Sequence, residues 1–252
     1  FSASPSNVSV LLGNPGSNLV DLDLDCEEAK LFAELFAPKT GFVYGRASNK
    51  TSHYLYRLPE SDEAQPAKFQ HAKYGCLLEI RGKGQATLLP GSVHPDGEDS
   101  TLEGNGDIAG VSYSDLRRSA ALIATCTLLA KEGIPKGTRQ DVALGLSGLL
   151  CKAGYGLEQV KLAVYHLAKV LHDEEAEKRK SAVVDTFKKY QQGKPIAGIT
   201  ALRSILPADT LDQLASWLGV SAQQDIDDLM AELNEKYAFV IIGGKQRILN
   251  IK

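Results

Sequence analysis

The chain has 252 residues, of which 43% are hydrophobic and 23% are charged, enough for one large or two modest globular domains. This composition excludes a disordered, collagen-like or coiled-coil protein. No apolar run approaches the ~20 residues that a transmembrane helix needs, so we expect a water-soluble, cytoplasmic protein.

The four cysteines form no CxxC pair, which is typical of reduced cytosolic thiols rather than of a disulfide framework or a zinc site. Charge is unevenly distributed. Residues 1–114 carry 9 basic and 15 acidic residues, residues 115–194 carry 14 and 9, and residues 195–252 carry 5 and 7. An acidic segment beside a basic one fits a cation site next to a polyanion-binding surface, although solubility alone explains it as well.

Up to about residue 113, the sequence predicts strands separated by turns, with one helix after the second strand. The predicted strands are 8–12, 19–25, 42–44, 54–58, 76–81 and 86–90. The predicted helix is 26–37, with Glu27 and Glu28 in its first turn and Pro38 after its end. This order predicts an α+β fold with a small mixed or antiparallel sheet. The Gly- and acid-rich residues 95–113 predict a loop leading out of that sheet.

From Ser114 the apolar pattern becomes helical and predicts a separate all-α domain. The predicted helices are 114–132, 138–153, 156–172 and 174–192, followed by three shorter ones after Pro195. Two alternating apolar runs around Gly243-Gly244 predict a C-terminal β-hairpin. We therefore expect three parts: a sheet domain over 1–113, a helical domain over 114–194, and a helical linker with a hairpin over 195–252.

Alternate acids occur in NLVDLDLD, residues 18–25. On a strand, this spacing places Asp21, Asp23 and Asp25 on one face, with neighbours about 7 Å apart. Carboxylates so placed repel one another without a counter-charge, and hard divalent cations prefer such oxygens. The pattern fits a metal site, and it fits a solvated edge strand equally well.

Cationic and hydroxyl side chains are concentrated in GRASNKTSHYLYR, residues 45–57. Arg46, Lys50, Ser52, His53 and Arg57 offer the charges and neutral donors that phosphate oxygens accept. Taken alone, His53 is typical of an ordinary, partly buried histidine.

The third informative segment is LLEIRGKGQATLLPGSVHPDG, residues 77–97. Glu79 and Arg81 alternate with leucine and isoleucine, so they share the face opposite the apolar one. Ser92 and His94 follow a Pro-Gly turn, where they offer further donors or serve only the turn itself.

In these three segments the sequence resembles the archaeo-eukaryotic primase superfamily, and within it the bifunctional primase-polymerase domain of phage and plasmid replication proteins. The matching motifs are LVDLDLD, KTSHYLY and LLEIRGKGQATLLPGSVHPDG, in the family's order, and the third is the most specific. The resemblance implies template-directed nucleotidyl transfer with two Mg²⁺ or Mn²⁺ ions, nucleoside triphosphates and a single-stranded DNA template. Relatives usually have several tens of residues more before the first motif, so we expect a catalytic domain shortened at its N-terminus.

The resemblance also implies residue roles. Asp23, Asp25 and Glu79 would hold the metal ions, and Asp21 is a further candidate ligand on the same face. His53 would bind the triphosphate of the incoming nucleotide. The same pocket would be lined by Ser52, Arg81, Ser92 and His94, with Arg46 and Lys50 as weaker candidates.

The helical part resembles the primase C-terminal region, in residues 133–155 and 173–202. In relatives a helicase domain follows, but the chain contains no GxxxxGK[ST] motif of its own. Basic residues of this part could hold template phosphates or could simply be solvated. They are Arg117, Arg118, Lys136, Arg139, Lys178, Arg179, Lys188 and Lys189.

Two other functions compete with the polymerase. The first is a non-catalytic DNA-binding or assembly module of a replication protein, whose DNA binding would survive loss of Asp23 and Asp25. The second is a metal-dependent phosphodiesterase, because acids with a histidine can also activate water.

Overall fold

The structure is a computed structural model that describes residues 7–221, 237–242 and 245–250. It divides into two compact units, residues 1–131 and 132–252. The first unit is a sheet with helices and the second is mainly helical, so the predicted α+β fold is confirmed. Within the described residues, no helix combines the length and apolarity that a membrane crossing requires.

The first unit is built on one large sheet. Its strands are β1 (Ser9–Leu11), β2 (Leu19–Leu24), β3 (Val43–Arg46), β4 (Asn49–Arg57), β5 (Ala67–His71), β6 (Gly75–Arg81), β7 (Ala86–Leu88), β8 (Ser100–Leu102) and β9 (Ala109–Gly110). Its helices are α1 (Glu27–Phe36) and α2 (Tyr113–Glu132). The sheet order is β5-β6-β2-β4-β3-β8, all antiparallel, with β9 added parallel to β4. Strands β1 and β7 form a separate antiparallel ribbon.

The alternation along β2 sorts its side chains between two faces. Val20, Leu22 and Leu24 are completely buried on one face, and α1 contacts this strand. Asp21 and Asp23 therefore project from the other face, because successive strand residues point in opposite directions. The central position of β2 places these two acids in the middle of the sheet.

The prediction of a loop over residues 95–113 was wrong in part. Strand β8 pairs with β3, and β9 pairs with β4. Both strands are only two or three residues long, and their sequence has no alternation to reveal them. They form because the free edges of β3 and β4 supply hydrogen-bonding partners from distant parts of the chain.

The second unit contains a helical cluster. Its helices are α3 (Arg139–Lys152), α4 (Leu157–Val170), α5 (Ala176–Gln191), α6 (Ile199–Leu202) and α7 (Ala208–Leu218). Helices α3, α4 and α5 all contact one another, and α6 packs on α3. The close approach needs a glycine: a Cβ on Gly148 would lie 1.4 Å from the carbonyl oxygen of Ala197.

The C-terminal hairpin predicted around Gly243-Gly244 is confirmed. Strands β10 (Tyr237–Ile242) and β11 (Lys245–Asn250) pair antiparallel. The last of the three short helices predicted after Pro195 falls beyond residue 221, outside the described residues.

Candidate active site

The candidate site lies on the polar face of β2. Asp23 is paired with His53 on β4 and with Glu79 on β6. Residues opposite each other in antiparallel strands share a face, so the three side chains are neighbours. The His53 Nδ1 atom is 3.5 Å from Asp23 Oδ1. The structure thus brings the three sequence motifs together on one face of one sheet.

A pocket of about 260 Å³ opens on this face. Asp23 and Asp25 contribute its carboxylates, whereas His53, Arg81 and Arg46 contribute its cationic groups. Asn49, Ser52 and His94 add polar atoms to the lining. The pocket therefore joins acids with cations and neutral donors, which is the combination that a metal-bound phosphate group needs.

Glu79 is absent from this lining, and its carboxylate lies against two cationic side chains. Its carboxylate is 3.3 Å from Arg81 Nε and 3.5 Å from Lys68 Nζ. The Arg81 guanidinium also approaches Asp23, with Nη1 at 3.9 Å from Oδ2. Arg81 therefore pairs with both acids, so Glu79 and Asp23 do not form a cluster of unpaired carboxylates. Over the described part of the chain, no group of three or more His, Cys, Asp or Glu side chains is arranged to hold a metal.

The electrostatics of the pocket depend on burial and on neighbouring charges. Burial raises the pKa of Asp23 to about 7; His53 opposes this rise, and Asp21 and Asp25 add to it. Burial alone would lower the pKa of His53, but the charge of Asp21 and its hydrogen bond raise that pKa to about 9. At neutral pH the pocket therefore contains the His53 imidazolium beside the Asp23 carboxyl group. The positive charges around Asp23 do not fully offset the effect of burial on its ionised form.

The two carboxylates of the pocket could together bind a divalent cation. Asp23 and Asp25 line the same pocket, and the raised pKa of Asp23 indicates a carboxylate that a cation would stabilise. Magnesium commonly takes only one or two carboxylates and completes its shell with waters and substrate phosphates. A third protein carboxylate is therefore not required, and Glu79 is the weakest of the three predicted ligands.

Asp21 occupies a different place from the one the sequence suggested. Its side chain is fully buried and lies outside the pocket lining. Its Oδ2 atom accepts hydrogen bonds from Thr87 Oγ1 at 2.6 Å and from His53 Nδ1 at 3.0 Å. The enclosure of its carboxylate by other side chains argues against the predicted role of Asp21 as a metal ligand.

The remaining predicted residues are divided between the pocket and the structural framework. Arg46 contacts His94 Nδ1 at 2.8 Å and forms an ion pair with Asp96, so both predicted residues stand together at the pocket. Ser92 is buried and its hydroxyl accepts a hydrogen bond from the backbone amide of Val8, which makes it a framework residue rather than part of the lining. Lys50 is exposed and also lies outside the lining.

Sequence reasoning missed six residues of the pocket lining, and three of these, Tyr44, Thr87 and Asn49, make side-chain hydrogen bonds or ring contacts. Tyr44 looked like an ordinary core residue of a strand, yet its ring stacks on the imidazole of His53 with centroids 4.8 Å apart. Thr87 comes from the separate ribbon, which no local pattern connects with β2. Asn49 lies in the second motif segment, and its side-chain oxygen accepts a hydrogen bond from Lys30. Asn49 and Thr87 both lay inside segments already singled out, whereas Tyr44 immediately precedes one of them.

Comparison with known proteins gives one match. Residues 2–111 match the family model described as "Bifunctional DNA primase/polymerase, N-terminal". No curated protein and no solved structure matches the chain. The matched range contains every residue of the pocket described above.

Proposed function

We propose that the chain is a template-directed, divalent-metal-dependent nucleotidyltransferase of phage or plasmid replication, on the premise that residues 2–111 match the bifunctional DNA primase/polymerase family. One observation carries the proposal. The pocket combines two carboxylates, Asp23 and Asp25, with the cationic groups of His53, Arg81 and Arg46. A nucleoside triphosphate with its metal ion is the ligand that requires both sets.

In this proposal Asp23 and Asp25 would hold the two divalent cations. When bound, one cation would lower the pKa of the attacking 3′-hydroxyl and the other would neutralise charge on the triphosphate. His53 and Arg81 bind the phosphate oxygens and stabilise the charge that develops on the departing pyrophosphate. The Arg46–His94 pair binds phosphate at the other side of the pocket. No side chain is required to act as a covalent nucleophile.

The experiment is a primer-extension assay with labelled nucleotides, a single-stranded DNA template, and Mg²⁺ or Mn²⁺. We expect extended products from the wild type and none from Asp23→Asn, which removes a ligand charge but keeps the side-chain shape. Asp185→Asn is the matched control, because Asp185 is exposed on α5 in the other unit. Shortened DNA would instead support a phosphodiesterase. DNA binding without either reaction would support a non-catalytic module.

We further propose that the helical unit contacts template DNA through the C-terminal end of α5. Two of the predicted basic residues of this unit serve the framework: Arg139 donates to the carbonyl oxygen of Leu171, and Arg179 pairs with buried Asp173. Lys136 and Lys178 form surface ion pairs with Glu174 and Glu175. In contrast, Lys188 and Lys189 are exposed and take part in no ion pair within the described residues. The helicase partner implied by the resemblance stays a prediction.

A further inference from the structure

A carboxylate in the middle of the sheet is unusually enclosed. The Asp21 side chain has no exposed surface. Its Oδ2 atom accepts hydrogen bonds from Thr87 at 2.6 Å and from His53 at 3.0 Å, and the Tyr44 hydroxyl lies 3.4 Å from the same atom. Its Oδ1 atom is buried and has no hydrogen-bond partner in the described structure. All the polar contacts of this side chain thus converge on the oxygen that faces His53.

His53 is fixed by this enclosure on two sides. Its Nδ1 atom is directed to Asp21, and the ring of Tyr44 lies nearly parallel to the imidazole at an angle of 13°. The Tyr44 hydroxyl is hydrogen-bonded to Thr87 at 2.7 Å, and Thr87 in turn donates to Asp21. The contacts form a closed circuit that determines both the plane and the rotation of the ring. Nε2 is the ring nitrogen left for a ligand in the pocket.

We propose that Asp21 is a positioning residue, which acts with Thr87 and Tyr44 to fix the His53 ring so that Nε2 is directed at the triphosphate. This inference rests on the proposed function, because it assigns the ligand of His53 to the nucleotide. It also gives Thr87, which lies on the separate ribbon formed by β1 and β7, a role at the site.

The burial of Asp21 argues against a purely stabilising role. A buried carboxylate with one oxygen lacking a hydrogen bond costs more free energy than an apolar side chain of similar size at the same position. The neighbouring residues of the core cluster, Leu19 and Leu55, show that an apolar side chain could pack on this face. What leucine could not supply is an acceptor for His53 Nδ1.

The test is a double-mutant cycle read by nucleotide affinity. Asp21→Leu, His53→Ala and the double variant are titrated with dATP and Mg²⁺ by isothermal calorimetry, at one pH. For a histidine that binds a metal, loss of the partner that orients its ring typically costs about 10- to 100-fold in affinity or activity, and we expect the lower end of that range for a phosphate ligand. We expect a Kd about 10-fold higher for Asp21→Leu than for the wild type. In the His53→Ala background the same change should have no further effect, because Asp21 acts through that ring.

Thr87→Val provides a second variant in case Asp21→Leu fails to fold. It removes one donor to Asp21 and should raise the Kd by several-fold. Thr40→Val is the matched control, because the Thr40 hydroxyl bonds to the backbone of Leu55, outside the pocket. This control should lower the melting temperature without changing the Kd. Ring-¹⁵N spectra give a readout independent of affinity: the His53 Nδ1 signal should shift in Asp21→Leu and stay in Thr40→Val.

The outcomes separate the two proposals. If wild-type protein binds dATP and the Asp21 and Thr87 variants bind it equally well, the positioning role is overturned and the proposed function stands. If Asp21→Leu weakens binding equally in the wild-type and the His53→Ala backgrounds, Asp21 does not act through His53 and the inference is also overturned. If the wild type binds no nucleotide with Mg²⁺ or Mn²⁺, both proposals fail.

Discussion

The β3–β4 hairpin forms one wall of the pocket. The close approach of its two strands depends on the absence of a side chain at Gly45 of β3. A Cβ at this position would lie 2.4 Å from the carbonyl oxygen of Asn49 and 2.9 Å from the amide nitrogen of Thr51. Both atoms belong to the backbone, so the overlap cannot be relieved by a side-chain rotation. The two strands would have to move apart next to Arg46.

For Gly45→Ala we expect a loss of about 2 kcal/mol in the free energy of unfolding. Overpacking a tight site costs roughly 1–3 kcal/mol. Alanine also lowers the backbone entropy of the unfolded chain, which offsets about 0.5 kcal/mol of this loss. For a unit of this size the melting temperature should fall by roughly 4–8 °C. Urea and thermal denaturation measure the two quantities.

Gly110→Ala is the control for this prediction. Gly110 is also a strand residue of the same sheet, but its nearest neighbour to a new Cβ is the Arg57 oxygen at 3.9 Å, an ordinary contact. This variant should unfold within about 0.5 kcal/mol of the wild type. Equal stability of the two variants would show that the β3–β4 turn adapts freely, and the reasoning from close approach would then be refuted.

Three further predictions concern charged groups. Burial would raise the pKa of Asp173, but hydrogen bonds from Arg179 and from the Glu175 amide lower it below its usual value. The ionised carboxylate therefore stabilises the folded protein above pH ~4. This stabilisation is lost as the pH falls through the lowered pKa. Asp173→Asn should cost about 3 kcal/mol at pH 7 in urea denaturation, and an undiminished difference at pH 3 would contradict this. The double variant Lys188→Gln, Lys189→Gln should weaken single-stranded DNA binding in anisotropy titrations and reduce the slope of log K against log salt concentration by about 1.4. The control variant Lys178→Gln, Lys180→Gln, whose lysines pair with Glu175 and Glu177, should change the affinity and the slope less. Equal effects of the two variants would refute a DNA-binding surface at the end of α5. Arg81→Gln should raise the nucleotide KM about 10-fold while exposed Arg57→Gln leaves it unchanged, and an unaltered KM in Arg81→Gln would exclude a phosphate role.

The alternation in NLVDLDLD was enough to predict a strand with acids on one face. The pattern works because strand side chains alternate strictly, so Val20, Leu22 and Leu24 identify the buried face without knowledge of the rest of the fold. The helices of the second unit were also predicted to within about two residues, because apolar spacing and terminal glycines are local signals.

The fate of each acid could not be predicted in the same way. Asp21 and Asp23 have the same spacing and the same face, yet one is sequestered and the other lines the pocket. The difference is made by Tyr44 and Thr87, which lie 23 and 66 positions from Asp21 in the chain. Contacts of that kind depend on sheet order and on the position of the separate ribbon, which no periodicity reveals. The Lys68 partner of Glu79 was hidden for the same reason, since Lys68 lies on an unpredicted strand, whereas Arg81 was already expected on the same face as Glu79.

Metal binding by Asp23 and Asp25 is tested most directly by an anomalous diffraction map of crystals soaked with Mn²⁺ and a non-hydrolysable nucleoside triphosphate. We expect manganese at the carboxylates of Asp23 and Asp25, with the triphosphate in contact with His53 and Arg81. Glu79 should remain with Arg81 and Lys68, and Asp21 should not contact the ion. Manganese bound elsewhere, or a nucleotide outside this pocket, would contradict the account.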